Sequence, residues 1–467
     1  MELGITREPV RRSRRRLLAA AVGGAAGAAG IVGSRGPVAG LAATISRQDA
    51  ASGAATLFRD VRIFDGVRPE RSGPSSVLVR EGMIATVSGG RIEPPPGSRV
   101  IDGGGATLMP GLIDAHWHTM MAEIPLAEIF SADIGYVDLI AGRGATRLLL
   151  SGFTTVRDMA GPSFGLKRAI DEGVLPGPRI YPSGAIISQT SGHGDFRKRS
   201  EVPSDGHDLS YAERVNFGVI ADGSDAVLRA TREQLMLGAS QIKLAAGGGI
   251  ISDHDPITVT EYSQPEIEAA VGAAADWGTY VTVHAFGSRA IQRALAAGVM
   301  CIDHGQLMDE ATAQMIGEKD AWLSLQPFVD APALRNPSEP NPEKAAIVSR
   351  GTDATYAYAI KYGLKVAWGT DILFSPEAAA KHGEHLAVMT RWYTPAQVLV
   401  MATSTNADLL AMSGPCNPYP GVLGRVVEGA YADLLLVDGN PLEDLTLFTT
   451  PETSLRVIMK GGEIYKG

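Results

Sequence analysis

Residues 109–118 read Met109-Pro110-Gly111-Leu112-Ile113-Asp114-Ala115-His116-Trp117-His118. A proline–glycine turn opens an apolar run that closes on two histidines. The stretch Gly111–His116 has the composition and length of a buried strand. Seven further runs of this kind follow: Thr154–Asp158, Arg179–Ser183, Gln241–Ala246, Tyr280–Ala285, Cys301–His304, Trp322–Gln326 and Lys365–Gly369. Helical patterns such as Ala226–Leu237, Gln264–Trp277 and Ser288–Ala297 separate them. This alternation predicts an α/β fold whose parallel sheet closes as a (β/α)8 TIM barrel. A doubly wound open sheet is the competing arrangement. No Gly-x-Gly-x-x-Gly follows the first strand, which counts against a dinucleotide-binding version of it.

The flanks have another texture. Thr56–Phe64, Ser76–Val79 and Met83–Val87 read as short strands punctuated by Gly, Pro and Asp, and so do Ala432–Asp438 and Leu455–Gly462. Neither flank is long enough for a comfortable core alone. Pairing them makes one small β-sandwich domain from both chain ends. The domain plan is therefore 55–108 and 421–467 for the two parts of the sandwich, and 109–420 for the barrel.

Residues 1–50 are a separate object. Arg11-Arg12-Ser13-Arg14-Arg15-Arg16-Leu17-Leu18 is followed by an uncharged Ala/Gly-rich stretch to Ser34 and by small residues around Ala39 to Ala43. A basic region, an apolar region and a cleavage-site-like region in that order make a signal peptide. Ser13-Arg14-Arg15 with Leu17-Leu18 resembles the twin-arginine export signal, which implies a periplasmic or secreted protein. A membrane anchor and a disordered basic tail are the other readings; a glycine-rich run of roughly 18 residues makes a weak span. Eight arginines against three acids give this segment +5 in a chain of −9, so the remainder carries −14. That acidity argues against a nucleic-acid partner. With 45% apolar and 20% charged residues the chain is built to fold, and two cysteines allow one disulfide at most.

The chemistry-bearing residues stand at strand ends. His116 and His118 are two apart, so on a strand both face one side and can reach one metal ion. Lys243 lies inside Gln241-Ile242-Lys243-Leu244-Ala245-Ala246. A buried ammonium is costly. The lysine is either ion-paired, with its stem lying along apolar surface, or modified by CO2 to a carbamate whose oxygens bridge two metal ions. His284 ends the fifth run, His304 the sixth and Asp371 the eighth. In a barrel such ends converge on one face.

The order His-x-His, Lys, His, His, Asp resembles the binuclear amidohydrolase superfamily. Val100-Ile101-Asp102-Gly103-Gly104, the run from Met109 to His116 and Glu428-Gly429-Ala430-Tyr431-Ala432-Asp433-Leu434-Leu435 resemble its flanking motifs. Thr154-Thr155-Val156-Arg157-Asp158, Ser191-Gly192-His193-Gly194-Asp195 and Gln241-Ile242-Lys243 resemble the imidazolonepropionase-like subgroup, which holds prolidase-like and Xaa-Arg dipeptidases and ochratoxin-hydrolysing amidases. Asp303 before His304, where glutamate is commoner, and the bulky Trp117 are departures that remove no ligand. The resemblance implies two divalent ions, zinc suiting the N/O ligands. His116, His118 and Asp371 hold one, His284 and His304 the other, and an N6-carboxylated Lys243 bridges them. Asp371 and His304 are then the catalytic residues, Asp371 carrying the proton to the leaving amine. The implied substrate is a small-molecule amide or dipeptide cut in carboxypeptidase fashion, ochratoxin-type amides included. A cyclic amide or lactone, and an inactive binding protein on the same scaffold, are the alternatives. Barrel hydrolases of this class often form homo-oligomers.

His193, Arg214 and Tyr211 are the candidates for substrate binding. His193 reads equally as a turn residue capping nearby backbone. His382 and His385 read as pocket-wall or structural residues, His254 as a lid or surface-loop residue and His207 as a surface residue. Arg157 and Asp158 read as a structural ion pair, and Cys301 as core packing. Nothing marks Cys416 as a nucleophile.

Overall fold

The computed structural model describes residues 55–202, 208–329 and 340–467. The segment expected to be an export signal and His207 lie outside the described residues. Five strands open the described chain: β1 (Thr56–Phe64), β2 (Arg71–Arg80), β3 (Met83–Ser88), β4 (Arg99–Asp102) and β5 (Thr107–Pro110). Ten follow: β6 (Leu112–Trp117), β7 (Phe153–Asp158), β8 (Arg179–Pro182), β9 (Ile186–Ser188), β10 (Gly218–Ile220), β11 (Ile242–Ala245), β12 (Val281–Gly287), β13 (Cys301–Leu307), β14 (Trp322–Leu325) and β15 (Lys365–Trp368). The last three are β16 (Leu434–Val437), β17 (Leu455–Lys460) and β18 (Glu463–Lys466).

The first five and last three share one mixed sheet, in the order β18-β17-β16-β5-β1-β2-β3 with β4 beside β1. The join is β5 against β16, antiparallel, with Pro110 opposite Leu434 and Thr107 opposite Val437. Phe58, Val77 and Leu108 from one flank bury against Leu434, Leu436 and Met459 from the other. Each flank alone would leave that surface in water.

The middle is mixed α/β. Its strands are parallel, in two sheets ordered β6-β7-β8 and β10-β9-β11-β12-β13-β14-β15. Strands β11, β13 and β14 are buried along nearly their whole length, as parallel strands covered on both faces are. Helices Ser224–Leu237, Gln264–Asp276, Ser288–Ala296, Glu310–Glu318 and Pro342–Tyr362 fall between them. Ser263 and Glu266 cap the second of these reciprocally, which explains why it starts where it does.

All eight runs read from the sequence form strands. The third differs in one respect: it breaks after Pro182, turns through Gly184 at φ +71° and resumes as β9. It is β9 that pairs with β11, Leu244 facing Ile187. A side chain at Gly184 would meet Gln234 Oε1 at 2.2 Å, so both the turn and the packing require glycine. The edges of the two sheets touch at both ends. The Asp371 amide donates to the His116 carbonyl at 2.8 Å, and the Ser240 amide to the Pro182 carbonyl at 2.7 Å. Among the described residues no helix is long and apolar enough to cross a membrane.

Candidate active site

Strand β6 delivers His116 and His118 at its carboxyl end, their ring centres 5.3 Å apart. Asp371, three residues beyond β15, reaches between them. Its Oδ1 lies 2.9 Å from His118 Nε2 and 3.2 Å from His116 Nε2, and its Oδ2 lies 3.9 Å from His304 Nδ1. The His304 ring is 4.9 Å from that of His116 and 4.4 Å from that of His284. Residues far apart in the chain therefore meet at one place. Lys243 on β11 is buried close by, with Nζ 2.5 Å from Asp303 Oδ2.

Strict alternation along β13 would send Asp303 and His304 to opposite faces. Both reach the centre, because His304 adopts φ +81° and rotates the strand end. Asp371 is likewise held at φ +56°. Each such conformation costs a non-glycine residue about 1–3 kcal/mol and persists only where surrounding contacts impose it. The contacts here are the imidazole–carboxylate cluster itself.

Asp303 is the anchor that sequence reading noted only as a departure. Its carboxylate accepts from Lys243 at 2.5 Å, Arg157 Nη2 at 2.8 Å and Thr282 Oγ1 at 2.9 Å. Burial opposes its ionisation, but Lys243 and Arg157 hold its carboxyl well below the usual range. The expected Arg157–Asp158 pair is thereby corrected. Adjacent residues on β7 face opposite ways: Arg157 runs inward to Asp303, while Asp158 accepts from the Thr119 amide at 2.7 Å and Ser163 Oγ at 2.5 Å. Burial pushes the Asp158 carboxyl up to about 7. Two further residues had no assigned role. Gln326, at the end of β14, places Oε1 2.7 Å from His304 Nδ1; an amide oxygen accepts, so that nitrogen carries the proton and Nε2 keeps its lone pair. Asp114 accepts from the His116 amide at 2.8 Å and Thr370 Oγ1 at 2.7 Å, tying the ends of β6 and β15 together. The only sequence signal for either was a polar residue inside an apolar run.

The donor set suits a divalent ion. Burial holds His118, His284 and His304 below the ordinary histidine value, so their imidazoles are neutral and keep a free lone pair. Asp371 stays ionised despite burial because His116 and His118 face it. His116, His304 and Asp371 offer ligand atoms all within 4.8 Å of one another. His118 Nδ1 is buried without a hydrogen-bond partner.

The cluster lies in a small space that adjoins a cavity of about 620 Å³, the two sharing His193, Ile251, His284, Asp371, Leu373 and Phe374. Apolar side chains, among them Phe286, Phe328 and Ile251, dominate the larger wall. His193 stands at the junction, its ring stacked on His284 at 4.0 Å and its amide held by Glu261 at 2.9 Å. Burial lowers its imidazole to about 3. Arg214 and Tyr211 do not line the cavity: Arg214 is exposed and donates to the Leu209 carbonyl, and the Tyr211 hydroxyl donates to that of Ala132. Those two assignments are corrected, since the described wall of the cavity holds neither residue. His385 lines the cavity, whereas His382 is buried against Phe153 with Nε2 2.9 Å from Asp114. His254 Nε2 lies 3.0 Å from the Arg197 carbonyl. Cys301 is buried, Cys416 is half-buried, and both are free thiols.

A sequence model of the amidohydrolase family matches residues 107–464. An ochratoxinase from Aspergillus niger is 31% identical over 373 residues, spanning 77% of this chain and 76% of the relative. An imidazolonepropionase from Deinococcus deserti is 25% identical over 84% of this chain and 92% of its own. Among solved structures, a prolidase complexed with N-methylphosphonate-L-proline superposes with a TM-score of 0.81 at 32% identity, covering 88% of this chain and 100% of that one. The A. niger ochratoxinase structure gives 0.75 at 27% identity, covering 89% and 96%.

Proposed function

The chain belongs to the amidohydrolase family and is a hydrolase acting on amide bonds, and from there we propose a metal-dependent enzyme that cleaves N-acyl amino acids or dipeptides in carboxypeptidase fashion. Ochratoxin-type aryl-acyl phenylalanine amides fall within that class. The observation that carries the reading is the convergence of His116, His118, His284, His304 and Asp371 beside an apolar cavity of about 620 Å³. The likeness to an ochratoxinase and a prolidase supports it. In this reading the two parallel sheets are one (β/α)8 barrel over 109–420, which the hydrogen bonds between their edges support. The two-ended sheet, from 55–108 and 421–467, is a small β-sandwich.

His116, His118 and Asp371 would hold one divalent ion and His284 and His304 a second, with a carboxylated Lys243 between them; zinc suits the set. Such ions, when bound, polarise a scissile carbonyl and ready water for attack at neutral pH. Asp371 accepts the proton of the attacking water and returns it to the amide nitrogen, which leaves poorly unless protonated. Gln326 keeps His304 in one tautomer. His193, at the junction, faces the acyl carbonyl, and the apolar wall takes the side chains.

The test is a panel of N-acyl amino acids and dipeptides, beside a lactone and a cyclic amide, scored on protein supplied with divalent ion and bicarbonate. Release of the amino acid is the expected result, and Lys243→Ala should reduce it to background. Ring opening without amide cleavage would move the function to cyclic substrates. Metal-free, inactive protein would make it a binding protein. Export is a separate proposal, resting on Ser13-Arg14-Arg15 and Leu17-Leu18. Arg14→Lys with Arg15→Lys should retain the chain in the cytoplasmic fraction, and unchanged export would overturn it.

A further inference from the structure

With Arg214 and Tyr211 off the cavity, a substrate cut in carboxypeptidase fashion needs another counter-ion for its free carboxylate. The helix Pro342–Tyr362 lays one face along the cavity through Pro342, Ala345, Ala346, Ser349 and Arg350. That is the i, i+3, i+4, i+7, i+8 spacing of a single helical stripe. Three of the five side chains are small, and the stripe ends on a guanidinium.

Arg350 is the one permanent cation among the described residues that line the cavity. Among the described residues its side chain has no hydrogen-bond or ion-pair partner, and it is exposed toward solvent. The other cation near this end of the helix is taken. Lys344 Nζ donates to the carbonyls of Gly249, Ser252 and Asp255 at 3.1, 2.6 and 2.7 Å, pinning the loop after β11. Asp371, which also lines the cavity, belongs to the reacting centre. One cavity therefore has a hydrolytic centre on one wall, an unengaged guanidinium on another, and apolar surface between them.

We propose that Arg350 is the specificity residue that pairs with the free α-carboxylate of the substrate, a proposal that rests on the carboxypeptidase reading above. A guanidinium matches a carboxylate in a two-pronged pair that an ammonium reproduces only in part. The substrate class narrows accordingly to acyl amino acids with a free carboxylate and bulky apolar side chains.

Two probes without a cleavable amide test this apart from turnover: N-benzyl-L-phenylalanine and N-benzyl-L-phenylalaninol, which keeps the amine and lacks the carboxylate. Calorimetric titration of the full chain, loaded with divalent ion, should show a preference for the acid that weakens with salt. Arg350→Ala should weaken the acid by about 10- to 100-fold, the range of a hydrogen bond to a charged group, and leave the alcohol unchanged. Arg350→Lys should restore part of the loss. For N-benzoyl-L-phenylalanine the Ala variant should raise KM and leave kcat near the wild-type value. Equal affinity of the wild type for acid and alcohol, or an Ala variant that binds the acid normally, would overturn the assignment. Failure of the wild type to cleave any N-acyl amino acid would instead count against the hydrolytic reading, while the binding result would still decide the role of Arg350.

Discussion

At Asp303, before any carboxylation of Lys243 and without metal, one carboxylate faces two buried cations, the Lys243 ammonium and the Arg157 guanidinium, inside a cluster with no exposed member. Removing it strands both charges. Asp303→Ala is expected to cost about 3–5 kcal/mol, the usual result of breaking a buried pair from one side, read as a fall in Tm; an unchanged Tm would show that the pair is dispensable. Glu261 carries a pH signature. Burial pushes its carboxyl from 4.5 up to about 8, against the hydrogen bond from the His193 amide. A carboxyl raised in this way favours the fold while protonated. Its contribution is full below its unfolded value and is lost as pH climbs from about 4.5 to about 8. Glu261→Gln, neutral throughout, should therefore gain stability relative to wild type as pH rises through that window; parallel pH profiles would refute this. In the sequence Asp303 stood out only as a departure before His304, and Glu261, in the segment that leads into the helix Gln264–Asp276, reads like any acid near a helix start.

Strands, by contrast, were legible, and for a physical reason. A strand covered on both faces must be apolar over most of its length, so each site-bearing run stood out before the turn that ended it. The interruptions were not legible. The break at Gly184 and the left-handed turns at His304 and Asp371 depend on what packs beside them. Close approach between elements is equally silent. Gly369 follows β15 where a Cβ would come within 2.5 Å of the His116 amide nitrogen. Gly369→Ala must push β6 away and carry His116 out of reach of Asp371. A fall in kcat of about 100-fold, on the scale of a 1 Å misplacement, with lowered metal content, is expected. A variant with normal kcat would show that the strand ends tolerate separation.

Across the whole molecule, the candidate ligands come from β6, β11, β12, β13 and the segment after β15, so bound ions would tie together strands from two sheets and nearly the full length of the middle region. Such an ion binds only the folded chain and stabilises it by linkage. Chelation should lower Tm, and returning divalent ion should restore it; a Tm indifferent to chelator would separate metal from folding. By itself the sequence determined the strand–helix order, the pairing of the two flanks and the residues that end each strand, because burial pattern and turn chemistry are local properties. The tertiary structure alone decided the rest. It turned Arg157 toward Asp303, took Arg214 and Tyr211 off the cavity and put Arg350 on its wall. Those outcomes depend on which surfaces meet in space, and residues far apart in the chain carry no local mark of the neighbour they will find.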